Sequence, residues 1–166
     1  MASAILVIGS LGIILLIVNS IATNNRNRND SSQTMLAEAV VEQVSSTVIG
    51  TGSSLLNDCA GNSYTISGVT GGANLTSAGD AIDYGENIAE DTSKDDYHMD
   101  YHVNVPCSIG GAPQAVYDVR WNVQKIGDST NPTNSYLLTV SARLKNHGEG
   151  NLFFSRPVTL RIMSSN

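Results

Sequence analysis

Three side chains with metal-binding chemistry alternate along one stretch of the sequence, at His98, Asp100 and His102. Two imidazoles and a carboxylate form a ligand set that zinc and other transition metals accept. On a β-strand these positions share one face, but neighbouring side chains there stand about 6–7 Å apart, so a tight site needs further ligands from elsewhere. Alternation in a half-buried strand already places polar residues at such positions. We therefore predict no bound metal, with this triplet as the candidate to examine.

Cys59 and Cys107 are the only two cysteines in the 166 residues. In a chain that lies outside the cytoplasm, an even number of cysteines predicts a disulfide. Such a bridge would close a loop of about 49 residues and stabilise the fold by about 4 kcal/mol in the chain-entropy model, less any strain. Two free, buried cysteines are the alternative. Asp58, which precedes Cys59, has no base or nucleophile that the sequence identifies as its partner.

Sequence motifs of catalysis are absent: there is no nucleophile elbow, phosphate-binding loop, HExxH or paired CxxC. We therefore predict that the protein is not an enzyme and needs no cofactor. A formal net charge of -6, with only nine Lys and Arg, argues against binding to nucleic acid. Asn74, followed by Leu75 and Thr76, fits the acceptor pattern for N-linked glycosylation and is a possible modification site.

The elements that would position these residues are clearest in the C-terminal part of the chain, residues 97–166, which is predicted to form an antiparallel sheet. Four runs alternate apolar and polar residues, a pattern that buries one face of a strand and leaves the other in water. The apolar positions are Tyr97, Met99, Tyr101, Val103 and Val105; Tyr117, Val119, Trp121 and Val123; Leu138, Val140, Ala142 and Leu144; and Val158, Leu160 and Ile162. The polar connectors 127–134 and 146–151 suit hairpin turns.

An amphipathic helix over residues 33–49 would cover one face of that sheet. Leu36, Val40, Val44 and Val48 recur every four residues, which is the spacing of one helix face. Gly50 suits the end of such a helix. Residues 50–96, rich in Gly, Ser, Thr, Asn and Asp, are predicted to form a long variable loop, with a possible short strand near 64–69 and a turn at 71–72. The sequence thus predicts an α+β globular head over residues 50–166.

Residues 1–22 carry no charge, and sixteen of them are Ala, Val, Ile, Leu or Met. As a helix this segment would be about 33 Å long, enough to cross a bilayer core of ~30 Å. A secretory signal peptide would need a basic segment before the apolar run. An ordinary single-span anchor and a processed N-terminus, from which a short basic leader has been removed, are the two other interpretations. The following residues 23–32 include four Asn, so the helix is predicted to bend, stretch or melt there.

A charge-free helix at the very start of the chain, followed by a polar globular domain, resembles mature type IV pilins and their pseudopilin relatives. The resemblance implies the pilin-like fold, in which a long hydrophobic helix continues into an amphipathic helix packed on an antiparallel sheet. It also implies a membrane anchor before assembly, and afterwards a filament core made of packed helices. The residues that it assigns to assembly are Met1, Ile5, Leu6, Gly9, Gly12, Ile13, Leu16 and Ile17.

Two features depart from the family pattern. The family usually begins with Phe and has Glu at the fifth position, where it pairs with the N-terminal amine of a neighbour, whereas this chain has Met1 and Ile5. The family disulfide commonly lies nearer the C-terminus. We expect a structural subunit of an extracellular, pilus-like filament whose partners are its own copies, the inner membrane before assembly and the pilus assembly machinery. The alternatives are a minor pilin or pseudopilin, or a monomeric surface domain held by a single membrane span.

Overall fold

The computed structural model describes residues 2–127, 132–147 and 156–165, with side chains from Ile13 onward except at positions 132, 133, 146 and 147. One helix, α1, runs from Ala2 to Ser45 and holds 44 residues, about 66 Å at ~1.5 Å per residue. Within the described residues, seven strands follow, together with two short 3-10 helices, Ile88–Glu90 and Thr92–Tyr97. The chain is therefore an α+β protein with an N-terminal helix and an antiparallel sheet.

Of the bend, stretch or melting predicted over residues 23–32, melting does not occur in this structure, because α1 is a continuous helix through the segment. The helical cost of Asn is only about 0.7 kcal/mol per residue, whereas a second helix would have to be nucleated again beyond a break. The Ser32 and Thr34 hydroxyls donate to the carbonyls of Arg28 and Asp30 at 3.0 and 2.9 Å. Arg28 Nη2 also donates to Gln114 Oε1 at 2.8 Å, which ties the polar segment to the head.

The second half of α1 packs on the sheet, and the predicted apolar stripe is largely confirmed. Leu36, Ala37, Val40 and Val44 are at most 4% exposed. The helix ends at Ser45, earlier than the predicted residue 49. Val48 consequently leaves the stripe and is 62% exposed.

The main sheet contains five strands, β3 (Gly71–Gly72), β4 (His98–Val105), β5 (Ala112–Gly127), β6 (Pro132–His147) and β7 (Val158–Ser165). Strands β4 to β7 form an antiparallel meander, which confirms the four predicted strands; β3 pairs with β5 beyond the end of β4. Of the predicted connectors, residues 128–131 and 148–151 lie outside the described residues. The sheet side chains that form the core under α1 include Met99, Tyr117, Val119, Trp121, Val123, Leu138, Val140 and Ala142.

Residues 50–96 are more ordered than the predicted loop. Strands β1 (Ser53–Asn57) and β2 (Ser63–Ser67) form an antiparallel hairpin. The predicted turn at 71–72 is instead strand β3, whose residues lie opposite Val123 and Asn122 of β5. Gly72 has a φ of +122°, and a Cβ there would collide with the carbonyl oxygen of Trp121. The missing side chain is what lets this short strand approach the sheet so closely.

Candidate functional site

The first candidate site is the apolar surface of α1 between Ile13 and Ile21. Six consecutive residues, 13–18, are each 53–71% exposed, and Ile21 is 56% exposed. Six consecutive positions span more than one turn of an α-helix, so apolar side chains project in every direction around it. A helix that is hydrophobic all round is one that becomes buried. In this single chain nothing covers it over the described part of the helix.

This surface contains three of the predicted assembly residues, Ile13, Leu16 and Ile17. Met1 lies outside the described residues, and the structure describes only the backbone helix at Ile5, Leu6, Gly9 and Gly12. Across the part of the chain with described side chains, which on α1 starts at Ile13, no helix is both long and apolar enough to cross a membrane.

The predicted disulfide between Cys59 and Cys107 is confirmed, and the alternative of two free cysteines is wrong. The two Cα atoms are 4.7 Å apart, and the bridge joins residues separated by 48 positions. It links the segment after β1 to the connector between β4 and β5. The backbone N–H of Cys59 also donates to the carbonyl of His102 at 3.3 Å, so the bridge lies beside strand β4.

Asp58 proves to be the centre of a buried hydrogen-bond cluster next to that bridge. Its carboxylate is fully buried and accepts from the backbone N–H groups of Ala60 and Asn62 at 2.9 and 2.8 Å. The amide of Asn62 and the Nδ1 atom of His102 reach it at 2.7 and 3.0 Å. Burial opposes ionisation, but the hydrogen bonds from Asn62 and His102 outweigh it, so the pKa of Asp58 lies below its usual range. Asp58 thus has a partner, His102, that the sequence did not identify.

The candidate metal triplet is divided among three different partners. His98 Nδ1 lies 3.3 Å from the carbonyl oxygen of Lys94. Asp100 forms an ion pair of 2.6 Å with Lys145, and His102 is held by Asp58. Among the described residues, no three His, Cys, Asp or Glu side chains are grouped in a way that could hold a metal ion.

A charge cluster on the outer face of the sheet is the feature that sequence reasoning missed. Asp118 and Arg120 are only 3% and 6% exposed although they occupy polar positions of the alternation. Arg120 Nε and Nη2 donate to the two oxygens of Asp118 at 2.9 Å each. Arg143 Nη2 reaches the same carboxylate at 3.0 Å, and both guanidinium groups lie over the ring of Tyr84, at 4.9 and 4.1 Å.

The segment around Tyr84 explains this burial, because residues 73–90 fold back over the outer face. Ala73, Ile82 and Ile88 form a second, small apolar cluster there, with Leu75 and Tyr84 packed against it. Arg120 Nη1 donates to the carbonyl of Glu86 at 2.9 Å and so fastens the segment to β5. A cavity of about 290 Å³ remains between residues 84–89 and the strands.

Asn74, the possible glycosylation site, lies exposed at the edge of this covering segment. Its backbone N–H donates to Glu86 Oε2 at 2.7 Å, and its Oδ1 accepts from Lys94 at 3.1 Å. Lys94 and Glu86 also form an ion pair. Among known proteins, no family model, no curated sequence and no solved structure matches this chain.

Proposed function

We propose that the protein is a structural subunit of an extracellular, type IV pilus-like filament, and that it acts by packing and without catalysis. The observation that carries the proposal is the uncovered apolar surface of α1 between Ile13 and Ile21. An exposed apolar patch of this kind marks a surface that interacts with protein or membrane. The head already has its own closed core under residues 36–44, so this surface is not needed to fold the head.

The filament would form as the α1 helices of several copies bury one another while the heads form an outer shell. Contacts in which one surface meets a different surface on the next copy give a helical polymer when the rotation between copies does not close a ring. The inner membrane would hold the apolar segment before assembly, and the pilus assembly machinery would extract it. Because Ile5 cannot neutralise the N-terminal amine of a neighbour, we expect a backbone carbonyl or water to meet that amine.

A second candidate is a minor pilin or pseudopilin, or a monomeric surface domain with one membrane span. Ile5 favours it, because the lost carboxylate removes the ion pair on which family assembly usually relies. Shearing cells that produce the protein and imaging the released material tests both functions. Long fibres composed of this chain alone support the filament subunit, whereas rare copies within fibres of another protein support the minor role. Release of no fibres would overturn the proposal of a filament.

A further inference from the structure

We propose that the cavity on the outer face of the sheet binds a small carboxylate anion, with Arg143 as its principal contact. The cavity of about 290 Å³ lies between residues 84–89 and side chains of β4, β5 and β6. Its size is just below the range of small-molecule pockets, ~300–1,000 Å³, which suits a ligand of one ring or less. It lies on the sheet face opposite to α1, so this inference does not depend on the proposed filament.

Arg143 lines this cavity, and one edge of its guanidinium is left without a hydrogen bond among the described residues. Arg120 uses one edge on Asp118 and donates from Nη1 to the carbonyl of Glu86 at 2.9 Å. Arg143 donates from Nε and Nη2 to Asp118 at 3.3 and 3.0 Å, and its Nη1 has no protein partner among the described residues. Its side chain is 34% exposed. A guanidinium edge with two N–H groups matches the two oxygens of a carboxylate.

The charges that line the cavity are balanced in number, with three carboxylates, Glu86, Asp100 and Asp118, and three cations, Arg120, Arg143 and Lys145. Asp118 is shared by two guanidinium groups, Arg120 and Arg143, so positive charge exceeds negative charge only at this end of the cavity. The other two carboxylates are already paired, Glu86 with Lys94 and Asp100 with Lys145. An incoming carboxylate would therefore bind at the Arg143 end, where it need not displace an existing ion pair.

Tyr84 holds the Arg143 side chain in place before any ligand arrives. The ring centre lies 4.1 Å from the guanidinium carbon of Arg143 and 4.9 Å from that of Arg120. Burial raises the pKa of the Tyr84 phenol, so the ring stays neutral and adds no competing negative charge. A side chain fixed in its binding conformation loses less freedom when the ligand binds.

The test is a titration of the isotope-labelled full chain in detergent, followed by heteronuclear NMR. The probes are glucuronate, glucose as its uncharged counterpart, and acetate as a carboxylate without a ring. We expect saturable shifts of signals from the cavity with glucuronate at concentrations up to about ten times a Kd of ~1 mM, and none with glucose. Shifts with acetate alone would identify a site for free carboxylates, and stronger shifts with glucuronate a site for acidic sugars.

Arg143→Gln should weaken binding at least about tenfold, because a hydrogen bond to a charged group is lost. Arg161→Gln is the matched control, since Arg161 is exposed on the same sheet face, opposite Thr139, and does not line the cavity. Ala89→Phe leaves every charge in place and should weaken binding by filling space, because exposed Ala89 lines the cavity. Equal responses to glucose and glucuronate, no saturable shift, or equal loss in the Arg143 and Arg161 variants would overturn the proposal.

Discussion

Replacing Leu16 with Glu should prevent assembly without unfolding the head. Leu16 is 71% exposed in the single chain, so little of its burial energy has been gained. Full burial of a Leu side chain contributes about 1.5–3 kcal/mol, of which roughly 1–2 kcal/mol would come from neighbouring copies. Burying an unpaired carboxylate at the same place costs several kcal/mol more. A total of about 4 kcal/mol corresponds to about a thousandfold weaker addition of each subunit.

Leu55→Glu is the matched control, because Leu55 is 69% exposed but lies on β1 of the head and not on the apolar surface of α1 between Ile13 and Ile21. The assay is the mass of sheared filaments per cell, with images of the released material. Near-ultraviolet circular dichroism of Trp121, which is fully buried, reports whether each head is folded. Filaments of normal yield from Leu16→Glu would refute the packing argument, and so would an equal loss in both variants with intact heads.

Three further predictions concern the head and are measured by denaturant unfolding. Removing the disulfide with paired Cys59→Ala and Cys107→Ala changes should lower the free energy of unfolding by about 4 kcal/mol, the chain-entropy value for the 48-residue separation; an unchanged midpoint would contradict it. The pKa of Asp58 is lower in the folded chain than in the unfolded chain, where it is ~3.9. Its contribution to the free energy of unfolding is therefore present above the unfolded pKa and is lost as pH falls through the folded pKa. Stability should therefore decline below about pH 4 in the wild type and less steeply in Asp58→Asn, and parallel declines would exclude this role. Gly72→Ala should lower the free energy of unfolding by about 1–3 kcal/mol or more. Gly79 also has a positive φ but open space around it, so Gly79→Ala measures the cost of the backbone strain without the collision.

Patterns with a regular period were predictable from the sequence. The alternation of β5, with Tyr117, Val119, Trp121 and Val123 on one face, placed those side chains in the core, because a strand has only two faces. The stripe at Leu36, Val40 and Val44 likewise predicts which face of the helix packs on the sheet. Both patterns lie within a single element, so they can be recognised without knowledge of the rest of the fold.

Contacts between distant segments were not predictable in this way. The bond from His102 to Asp58 joins residues 44 positions apart and requires the hairpin β1–β2 to lie beside β4. The continuity of α1 through residues 23–32 depends on more than the local preference of Asn. The helix on either side and the bond from Arg28 to Gln114 also favour helix across the segment.

The outer face of the sheet shows most clearly where sequence periodicity stops being informative. Asp118, Arg120 and Arg143 occupy polar positions, and polarity establishes only that these side chains need partners. Water, a neighbouring strand and a returning loop all satisfy that need, and alternation does not distinguish them. Here Tyr84 and the carbonyl of Glu86 supply the partners, which buries two of the charges and leaves one guanidinium edge open. The segment that the sequence predicts as part of a variable loop is therefore what creates the cavity, and its function has to be sought in the contacts that it makes.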